Sequence, residues 1–330
     1  MVNTTGLLGI DRSEEGEKRA YTFFLREGFV PIDIHAHPLL RDYQRGAMIA
    51  EMAAALILAW SFNYNGLYKV LNGILSIAYF DGKQPVYFTL HWLPETPASA
   101  LRRTLDALYD LSRKAGLPFL QIRCIEERFL KEYKLIDRYN IQTEYRDSDS
   151  EYAYRTVDFL KLKGTVNLNK RQRLTKLFKR QNISFHPITR KDAGICLEIQ
   201  NNWCTNKDCA ICASYIGCEK KALEVMVAIF DERFHKGLFL CYDDIPVGYC
   251  IGELINSKVS MAYFAKSPVQ NYFLYLLYMI TKTYFSDIEY VNLDSDVGNP
   301  GLRMFKTHLG VYEHWRKYMC TYQKKEDNTP

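Results

Sequence analysis

Apolar and polar residues alternate in a way that divides the chain into two stretches with the same order of predicted elements. The sequence FVPI at 29–32 recurs as FHPI at 185–188, and each copy precedes a polar turn and then a helical pattern. Two strands separated by an Asp-containing turn follow, at 75–90 in the first stretch and at 238–254 in the second. The shared order predicts an internal repeat.

The correspondence continues beyond these hairpins. A helical pattern at 97–115 precedes the apolar strand FLQI at 119–122. In the second stretch a helical pattern at 269–285 precedes YVNL at 290–293. Four matches in one order are much less expected from chance than any single match, so we interpret the chain as a tandem pair of related domains.

The polar segment EYRDSDSEY separates the two stretches, and we predict domains at 1–147 and 148–330. The order of strand, helices, antiparallel strands, helix and strand indicates the α+β class, with a mixed and largely antiparallel sheet flanked by helices in each domain. This order resembles that of GNAT-type N-acyltransferases. The hairpins interrupt the regular alternation that a (β/α)8 barrel requires.

Composition narrows the class of protein. Of the 330 residues 48% are hydrophobic and 25% are charged, as in ordinary globular proteins, and the net charge is +5. The nine cysteines are an odd number with none before Cys124, which favours a reducing cytoplasm over a disulfide framework. The longest apolar run, MAAALILAW, is shorter than the roughly 20 residues of a membrane-spanning helix. We expect a cytoplasmic protein, with peripheral attachment to a membrane left open.

A basic segment without acidic residues runs from 159 to 191. Its predicted helix at 169–181 has an apolar stripe and an opposite basic face. That face carries Arg173, Lys176, Lys179 and Arg180. It is either a solvated surface or a surface for the phosphates of RNA or an anionic lipid. Lys170 and Arg171 lie beside the apolar stripe, so we expect them to point toward the protein body, as ligand-facing cations often do.

The stretch VNLDSDVGNPGLRMFK at 291–306 carries the densest candidate chemistry. A predicted strand ends at Asn292 and Asp294, and a helix begins after a turn rich in Asp, Gly and Asn. Arg303 and Lys306 are three residues apart in that helix and can converge on one anion. Carboxylates at a strand end beside two cations indicate a polar pocket with shifted pKa values, whereas the alternative is a surface ion-pair cluster.

Four motifs carry a resemblance to a known family. They are YAYRTVDFLKLKG at 152–164, KRQRLTKLF at 170–178, NNWC at 201–204 and the stretch at 291–306. With them the chain resembles the C-terminal domain of bacterial phosphatidylglycerol lysyltransferases and the stand-alone proteins that share this domain. The segment AWSFNYNGLYKV at 59–70 matches more loosely.

This resemblance implies a pair of GNAT-like domains and the transfer of an aminoacyl group from a charged tRNA. The acceptor would be a hydroxyl or an amine, on a phosphatidylglycerol-type lipid or another small molecule. No cofactor and no metal are expected. The contrasting hypothesis is a non-catalytic module that binds tRNA or anionic lipid through the basic surface.

The resemblance also assigns roles to residues. Asp296, Arg303 and Lys306 match the family's polar cluster and are the expected catalytic residues. Arg303 and Lys306 would stabilise a phosphate or an oxyanion, and Asp296 would orient the acceptor or the aminoacyl ammonium. A role for Asp296 as a base would require a raised pKa.

The expected substrate-binding residues are four. Lys170 and Arg171 match the family's basic pair, and Asn292 and Asp294 end the strand before the polar cluster. Acetyl-CoA is disfavoured as the donor, because the segments at 91–99 and 265–272 contain no glycine where GNAT enzymes cradle a pyrophosphate.

Two metal hypotheses remain from the cysteines and histidines. Cys204, Cys209, Cys212 and Cys218, with Cys241, have spacings compatible with an iron–sulfur cluster or zinc, but their loop lacks the expected glycines.

The pair His35 and His37, with His91, His186 and Asp294, imitates the ligands of a metal-dependent amidohydrolase. That alternative requires eight βα repeats. We interpret the pair as turn residues between the first strand and the following helix.

Overall fold

The computed structural model describes residues 14–80, 82, 85–127, 130, 139–162, 167–180, 182–205, 218–267 and 272–324. Its helices are α1 (Glu14–Arg26), α2 (His37–Gln44), α3 (Ala54–Ala59), α4 (Ala98–Lys114), α5 (Thr156–Lys161), α6 (Leu168–Phe178), α7 (Ile195–Thr205), α8 (Glu219–Ile229), α9 (Tyr272–Tyr284) and α10 (Pro300–Thr307). Its strands are β1 (Val30–Pro31), β2 (Leu67–Leu71), β3 (Ile74–Tyr79), β4 (Tyr87–His91), β5 (Leu120–Glu126), β6 (Tyr139–Tyr145), β7 (Glu151–Arg155), β8 (Ile183–Pro187), β9 (His235–Tyr242), β10 (Ile245–Leu254), β11 (Val259–Lys266), β12 (Tyr290–Asn292), β13 (Glu313–Trp315) and β14 (Lys317–Lys324).

The chain forms two compact units assembled from separated segments. Unit 1 comprises residues 1–46, 63–145 and 317–330, and unit 2 comprises 47–62 and 146–316. The predicted domains 1–147 and 148–330 divide the chain close to the break at 145/146. A single division, however, would place residues 47–62 in the first domain and residues 317–330 in the second. In the structure, residues 47–62 belong to unit 2 and residues 317–330 to unit 1.

The two sheets have corresponding strand orders. The order in unit 1 is β1-β2-β3-β4-β5-β14-β6, and the order in unit 2 is β8-β9-β10-β11-β12-β7-β13. Neighbouring strands are antiparallel except for one parallel pair in each sheet, β4 with β5 and β11 with β12. The predicted α+β class, with a mixed and largely antiparallel sheet in each half, is therefore confirmed.

A Pro-Ile dipeptide marks equivalent points of the two repeats. Each proline ends an edge strand, where the missing N–H removes no ladder bond. The following residues, Ile32 and Ile188, donate their N–H groups to the carbonyl oxygens of Gly66 and Gly237, each at 2.9 Å. A Cβ on either glycine would lie 2.8 Å from the isoleucine side chain, so glycine gives the closest fit at this point of each repeat.

The hairpins after β2 and β9 also correspond, with different residues. Asn72 and Gly73 have φ of 51° and 81° in unit 1, and Asp243 and Asp244 have φ of 48° and 63° in unit 2. Two successive positive φ angles are the conformation of a type I′ turn, for which Asn-Gly is the favoured pair.

Each sheet is covered by an apolar helix face. In unit 1, α4 buries Leu101, Leu105 and Leu108 at helical spacing against the sheet. In unit 2, α9 buries residues around most of its circumference, including Leu276 and Ile280. Among the described residues, no helix combines the length and the apolar composition needed to cross a bilayer.

Candidate functional site

The parallel strands of unit 2 separate and leave a cavity. Strand β12 pairs with β11 only as far as Met261 and Asn292, whereas β11 continues to Lys266. A cavity lies beside the last residues of β11, on the side where β12 no longer pairs with it. Its volume of about 370 Å³ is within the usual range of small-molecule sites.

The cavity wall combines apolar and charged side chains. Strand β11 and helix α9 contribute Ala262, Tyr263, Ala265, Lys266, Phe273 and Leu277. The turn after β12 and helix α10 contribute Leu293, Asp294, Ser295, Val297, Asn299, Leu302, Phe305 and Lys306. Trp203 of α7 and Glu219 of α8 complete the lining. Two of the predicted site residues, Asp294 and Lys306, therefore face one cavity.

Helix α10 begins with a strong cap that orients its cationic residues. The side chain of Asn299 accepts hydrogen bonds from the N–H groups of Gly301 and Leu302, at 2.9 and 3.2 Å. Pro300 occupies the first helical position, where no N–H is required.

The carboxylate of Asp296 is fully engaged. It accepts hydrogen bonds from the Tyr152 hydroxyl at 2.7 Å, from Arg303 Nε and Nη2 at 2.8 and 3.2 Å, and from the Gly298 N–H at 2.8 Å. Burial alone would raise its pKa, but the hydrogen bonds from Arg303, Tyr152 and Gly298 outweigh burial and lower the pKa. A catalytic base needs the opposite shift, so this pKa does not favour a base role. The observed contacts of Asp296 hold Arg303 and Tyr152 in place, and its expected catalytic role stays a prediction.

The two side chains that donate to Asp296 have raised pKa values. The pKa of Tyr152 is raised to about 12 by burial and by its hydrogen bond to Asp296. The hydrogen bond to Asp296 also raises the pKa of Arg303, whose side chain is 47% exposed. Arg303 thus presents a fixed and partly accessible positive charge.

Lys306 fastens its helix to the turn after β12. Its Nζ donates to the carbonyl oxygens of Ser295 at 2.5 Å and Asp294 at 3.2 Å, and it lies 5.7 Å from the centroid of the Tyr152 ring. The side chain is 7% exposed. Lys306 therefore places a buried positive charge at the cavity wall while it holds the turn.

The turn itself is strained at two cavity-lining residues. Asp294 has φ of 63° and Val297 has φ of 47°, a conformation that costs a β-branched residue about 1–2 kcal/mol. Side-chain oxygens hold the turn, since Asn292 Oδ1 accepts from the N–H of Asp294 at 2.7 Å. The Asp294 carboxylate accepts from the N–H of Ser295 at 2.5 Å.

Asn292 is wholly buried, and its side chain forms hydrogen bonds with residues of unit 2. Its Nδ2 donates to the carbonyl of Met48 at 3.1 Å and to the carboxylate of Glu151. Its expected contact with substrate stays a prediction, whereas its observed role is to support the turn that carries Asp294.

The Asp294 carboxylate of this turn also belongs to an acidic trio. One carboxylate oxygen from each of Glu51, Glu151 and Asp294 lies within 4.8 Å of the others. Such oxygens are ligands for Mg²⁺ or Ca²⁺, and one oxygen of Glu151 also accepts from the N–H of Ala50 at 2.8 Å. The sequence-based expectation of no metal stays a prediction.

Lys170 and Arg171 satisfy carbonyl groups at helix ends. Lys170 Nζ donates to Asn167 Oδ1 at 2.9 Å and to the carbonyl of His308, the C-cap of α10, at 2.6 Å. Arg171 donates to the carbonyl of Leu162, the C-cap of α5. Burial and the charge of Arg173 lower the pKa of Lys170. Cations at helix C-termini are stabilising, and direct contact with substrate stays a prediction for both residues.

The remainder of α6 presents its charges to solvent. Leu174 and Leu177 are buried as expected from the apolar stripe, whereas Phe178 is 46% exposed. The predicted basic face is exposed at Arg173, Lys176, Lys179 and Arg180.

No family model and no curated protein matches this chain. A solved structure of a conserved protein of unknown function from Bacteroides thetaiotaomicron is similar, with 18% identity, a TM-score of 0.76 and coverage of 90% of this chain and 99% of that one. L-PGS from Bacillus licheniformis has 12% identity, a TM-score of 0.60 and coverage of 91% and 94%. The C-terminal domain of a putative lysylphosphatidylglycerol synthetase from Agrobacterium fabrum has 12% identity, a TM-score of 0.58 and coverage of 93% and 91%.

The chain shares the fold of these proteins. The resemblance inferred from the four sequence motifs is thereby confirmed for the GNAT-like fold over most of the chain. At these identities the likeness establishes the fold, and the chemistry must be argued from the residues of this chain.

The GNAT-like fold shows that the amidohydrolase alternative was wrong. Two mixed sheets replace the eight-stranded barrel whose strand ends would gather the ligands. His35 lies in a turn in which the Asp33 carboxylate accepts its N–H at 2.8 Å. His91 is buried, is hydrogen-bonded to Thr89 at 2.9 Å, and has a pKa lowered to about 3 by burial.

The cysteine hypothesis can be examined only in part, because Cys209 and Cys212 lie outside the described residues. Cys204 lies near the end of α7, where Gln200 donates to its sulfur at 3.5 Å. Burial and the nearby Asp244 raise the pKa of Cys241 in β9. The metal hypothesis for these cysteines stays a prediction.

Among the cavity residues that sequence reasoning did not assign to a site are Trp203, Glu219 and Lys266. Lys266 did leave a signal, since a lysine ends the otherwise uncharged run VSMAYFA of β11. Trp203 belongs to the NNWC motif, but no spacing in the sequence relates it to β11.

Proposed function

We propose that this protein is an acyltransferase that moves an aminoacyl group from a charged tRNA to a hydroxyl or amine acceptor. The observation that carries the proposal is the cavity where β11 and β12 part, in which Asp294 and Lys306 face a largely apolar space. The shared fold with a putative lysylphosphatidylglycerol synthetase supports a reaction of this class.

The proposed chemistry needs no covalent intermediate. An acceptor hydroxyl or amine attacks the ester carbonyl, the ester bond to the tRNA ribose breaks, and the proton of the acceptor passes to the departing ribose oxygen. The Asp294 carboxylate orients the α-ammonium of the aminoacyl group, and the charge of Lys306 stabilises the tetrahedral oxyanion. Arg303, held by Asp296, contacts a phosphate of the donor or acceptor.

The donor is proposed to be an aminoacyl ester and not acetyl-CoA. This rests on the absence of glycine at 91–99 and 265–272, of which residues 268–271 lie outside the described part of the chain. Acetyl-CoA is therefore included as a competing donor in the test.

The test is an assay of the purified protein with each charged tRNA, or acetyl-CoA, as the donor. The acceptors are phosphatidylglycerol vesicles and soluble hydroxyl and amine compounds. We expect labelled amino acid in the acceptor fraction for at least one donor. The proposal is overturned if tRNA binds yet no aminoacyl group leaves it with any acceptor.

That negative outcome would favour the second candidate function, a non-catalytic module for tRNA or anionic lipid. The exposed basic face of α6 is the observation that supports it. Replacing Lys176 and Lys179 by Gln would then weaken binding and flatten its salt dependence, with no transfer activity to lose.

A further inference from the structure

One end of the cavity is closed by an ion pair that lies under an aromatic ring. Lys266 Nζ is 2.8 Å from a carboxylate oxygen of Glu219, and the two side chains are only 18% and 19% exposed. The same Nζ lies 4.7 Å from the centroid of the Trp203 ring. The three residues come from β11, α8 and α7, so the arrangement is made by the fold of unit 2.

A carboxylate and an indole face are the groups with which proteins recognise a cationic side chain. In this cavity both groups are already engaged by a lysine of the chain itself. A lysyl or arginyl group that entered would have to displace Lys266 from Glu219 and Trp203, and would meet the positive charge of Lys266 as it did so.

The other cavity walls favour a different occupant. Phe273, Leu277, Leu302 and Phe305 present apolar surface to the cavity. An uncharged, apolar side chain would bury its surface against them and leave the ion pair intact. The α-ammonium common to all aminoacyl groups would still have the Asp294 carboxylate.

We propose that the cavity selects aminoacyl groups with uncharged, apolar side chains and that Lys266 excludes cationic ones. This inference rests on the proposed function and adds the substrate class and a specificity-determining residue. Specificity then arises from a repulsive element as well as from the apolar contacts.

The test is the variant Lys266→Met, which keeps the length of the side chain and removes its charge. For the wild type we expect kcat/KM for leucyl-tRNA to exceed that for lysyl-tRNA at least tenfold. In Lys266→Met the ratio should shift toward lysyl-tRNA by at least tenfold, because Glu219 and Trp203 become available to the substrate ammonium. The double variant Glu219→Gln/Lys266→Met should lose that gain.

Lys282→Met is the matched control. Lys282 also lies over an aromatic ring, 6.0 Å from the centroid of Phe178, but it is exposed and does not line the cavity. Its substitution should leave the leucyl to lysyl ratio unchanged. The inference is overturned if the wild type uses lysyl-tRNA as well as leucyl-tRNA, or if Lys266→Met does not change the ratio.

A binding measurement separates this inference from the proposed function. Leucinamide and lysinamide carry the α-ammonium and the side chain without the ester, and calorimetry measures their affinities directly. Preference for leucinamide in the wild type, shifted toward lysinamide in Lys266→Met, supports the inference even if no tRNA is a donor. Equal affinities in both proteins overturn it.

Discussion

The two units share one strand order and differ in what their central strands contain. In unit 1 every residue of β3 and β4 is buried, and the titratable group that ends β4, His91, is neutral and hydrogen-bonded to Thr89. In unit 2 the equivalent strand β11 ends in Lys266 at a cavity, and β12 leads into the turn of Asp294. Among the described residues, unit 1 thus buries these strands completely, whereas unit 2 has a cavity beside the equivalent strand.

The largest expected difference between the two units is in how substitutions affect transfer activity and thermal stability. In unit 2, Asp294→Asn should lower kcat/KM for transfer roughly 10- to 100-fold, because a charged hydrogen bond to the ammonium contributes about 1.5–3 kcal/mol. Asparagine tolerates the positive φ of this position, so the midpoint of thermal unfolding should change little.

The unit 1 counterpart is Thr89→Val, which leaves buried His91 without its hydroxyl partner. It should lower the thermal midpoint and leave kcat/KM of the folded protein unchanged. A comparable loss of kcat/KM in both variants would contradict the division of roles between the units.

A second pair of substitutions compares the two Pro-Ile repeats. A Cβ at Gly237 would lie 2.8 Å from Ile188 Cβ, which is fixed to the backbone, whereas a Cβ at Gly66 meets only the terminal Cδ1 of Ile32 at 2.8 Å. Gly237→Ala should therefore destabilise the protein by about 2–3 kcal/mol and Gly66→Ala by about 1 kcal/mol. Urea denaturation measures the free energy of unfolding of both variants. Equal losses would show that the two isoleucine side chains accommodate the added Cβ equally well.

The Asp296 cluster of unit 2 predicts a pH dependence. Because the folded pKa of Asp296 is lowered from its ordinary value of 3.8, its stabilisation is present above that value and is lost as the pH falls through the folded pKa. Wild type should be more stable than Asp296→Asn at pH 6–7, and the difference should narrow below about pH 4. Thermal unfolding of both proteins across this range checks the sign, and a gap that widens in acid would refute the assignment.

The smallest expected effect concerns the hairpin turns. Asp243→Asn together with Asp244→Gly gives unit 2 the turn residues of unit 1, and should stabilise the protein by about 0.5–1 kcal/mol. The thermal midpoint should rise, whereas the reverse change, Asn72→Asp with Gly73→Asp, should lower it. No rise in the first variant would indicate that the aspartates make contacts that offset their backbone cost.

Sequence patterns predicted those features of the fold that depend on residues close together in the chain. The Pro-Ile dipeptides, the hairpins and the exposed basic face of α6 follow from turn chemistry and helical period. The boundaries of α4 and α9 agree with the predicted helices to within a few residues. The repeat could be detected because the Pro-Ile dipeptide and the hairpin occur in the same order in both halves of the chain.

Long-range contacts set the limit of sequence reasoning. The pKa of Asp296 depends on Tyr152, 144 positions away, and no spacing in the chain reports that contact. The same holds for Trp203, Glu219 and Lys266, which three separate elements bring together. It also holds for residues 47–62, whose place in unit 2 involves bonds such as that from the Ala50 N–H to Glu151.

Strand β14 imposes an order on folding during synthesis. It lies between β5 and β6 and pairs with both, yet it is made after every strand of the unit 2 sheet. During synthesis, β5 and β6 of unit 1 leave the ribosome before β14 does, so the edges that pair with β14 have no partner from that strand while unit 2 is being made. Unit 1 can therefore complete its sheet only after the last strand of unit 2 has been made, and until then the edges of β5 and β6 that β14 covers are open to pairing with a wrong strand.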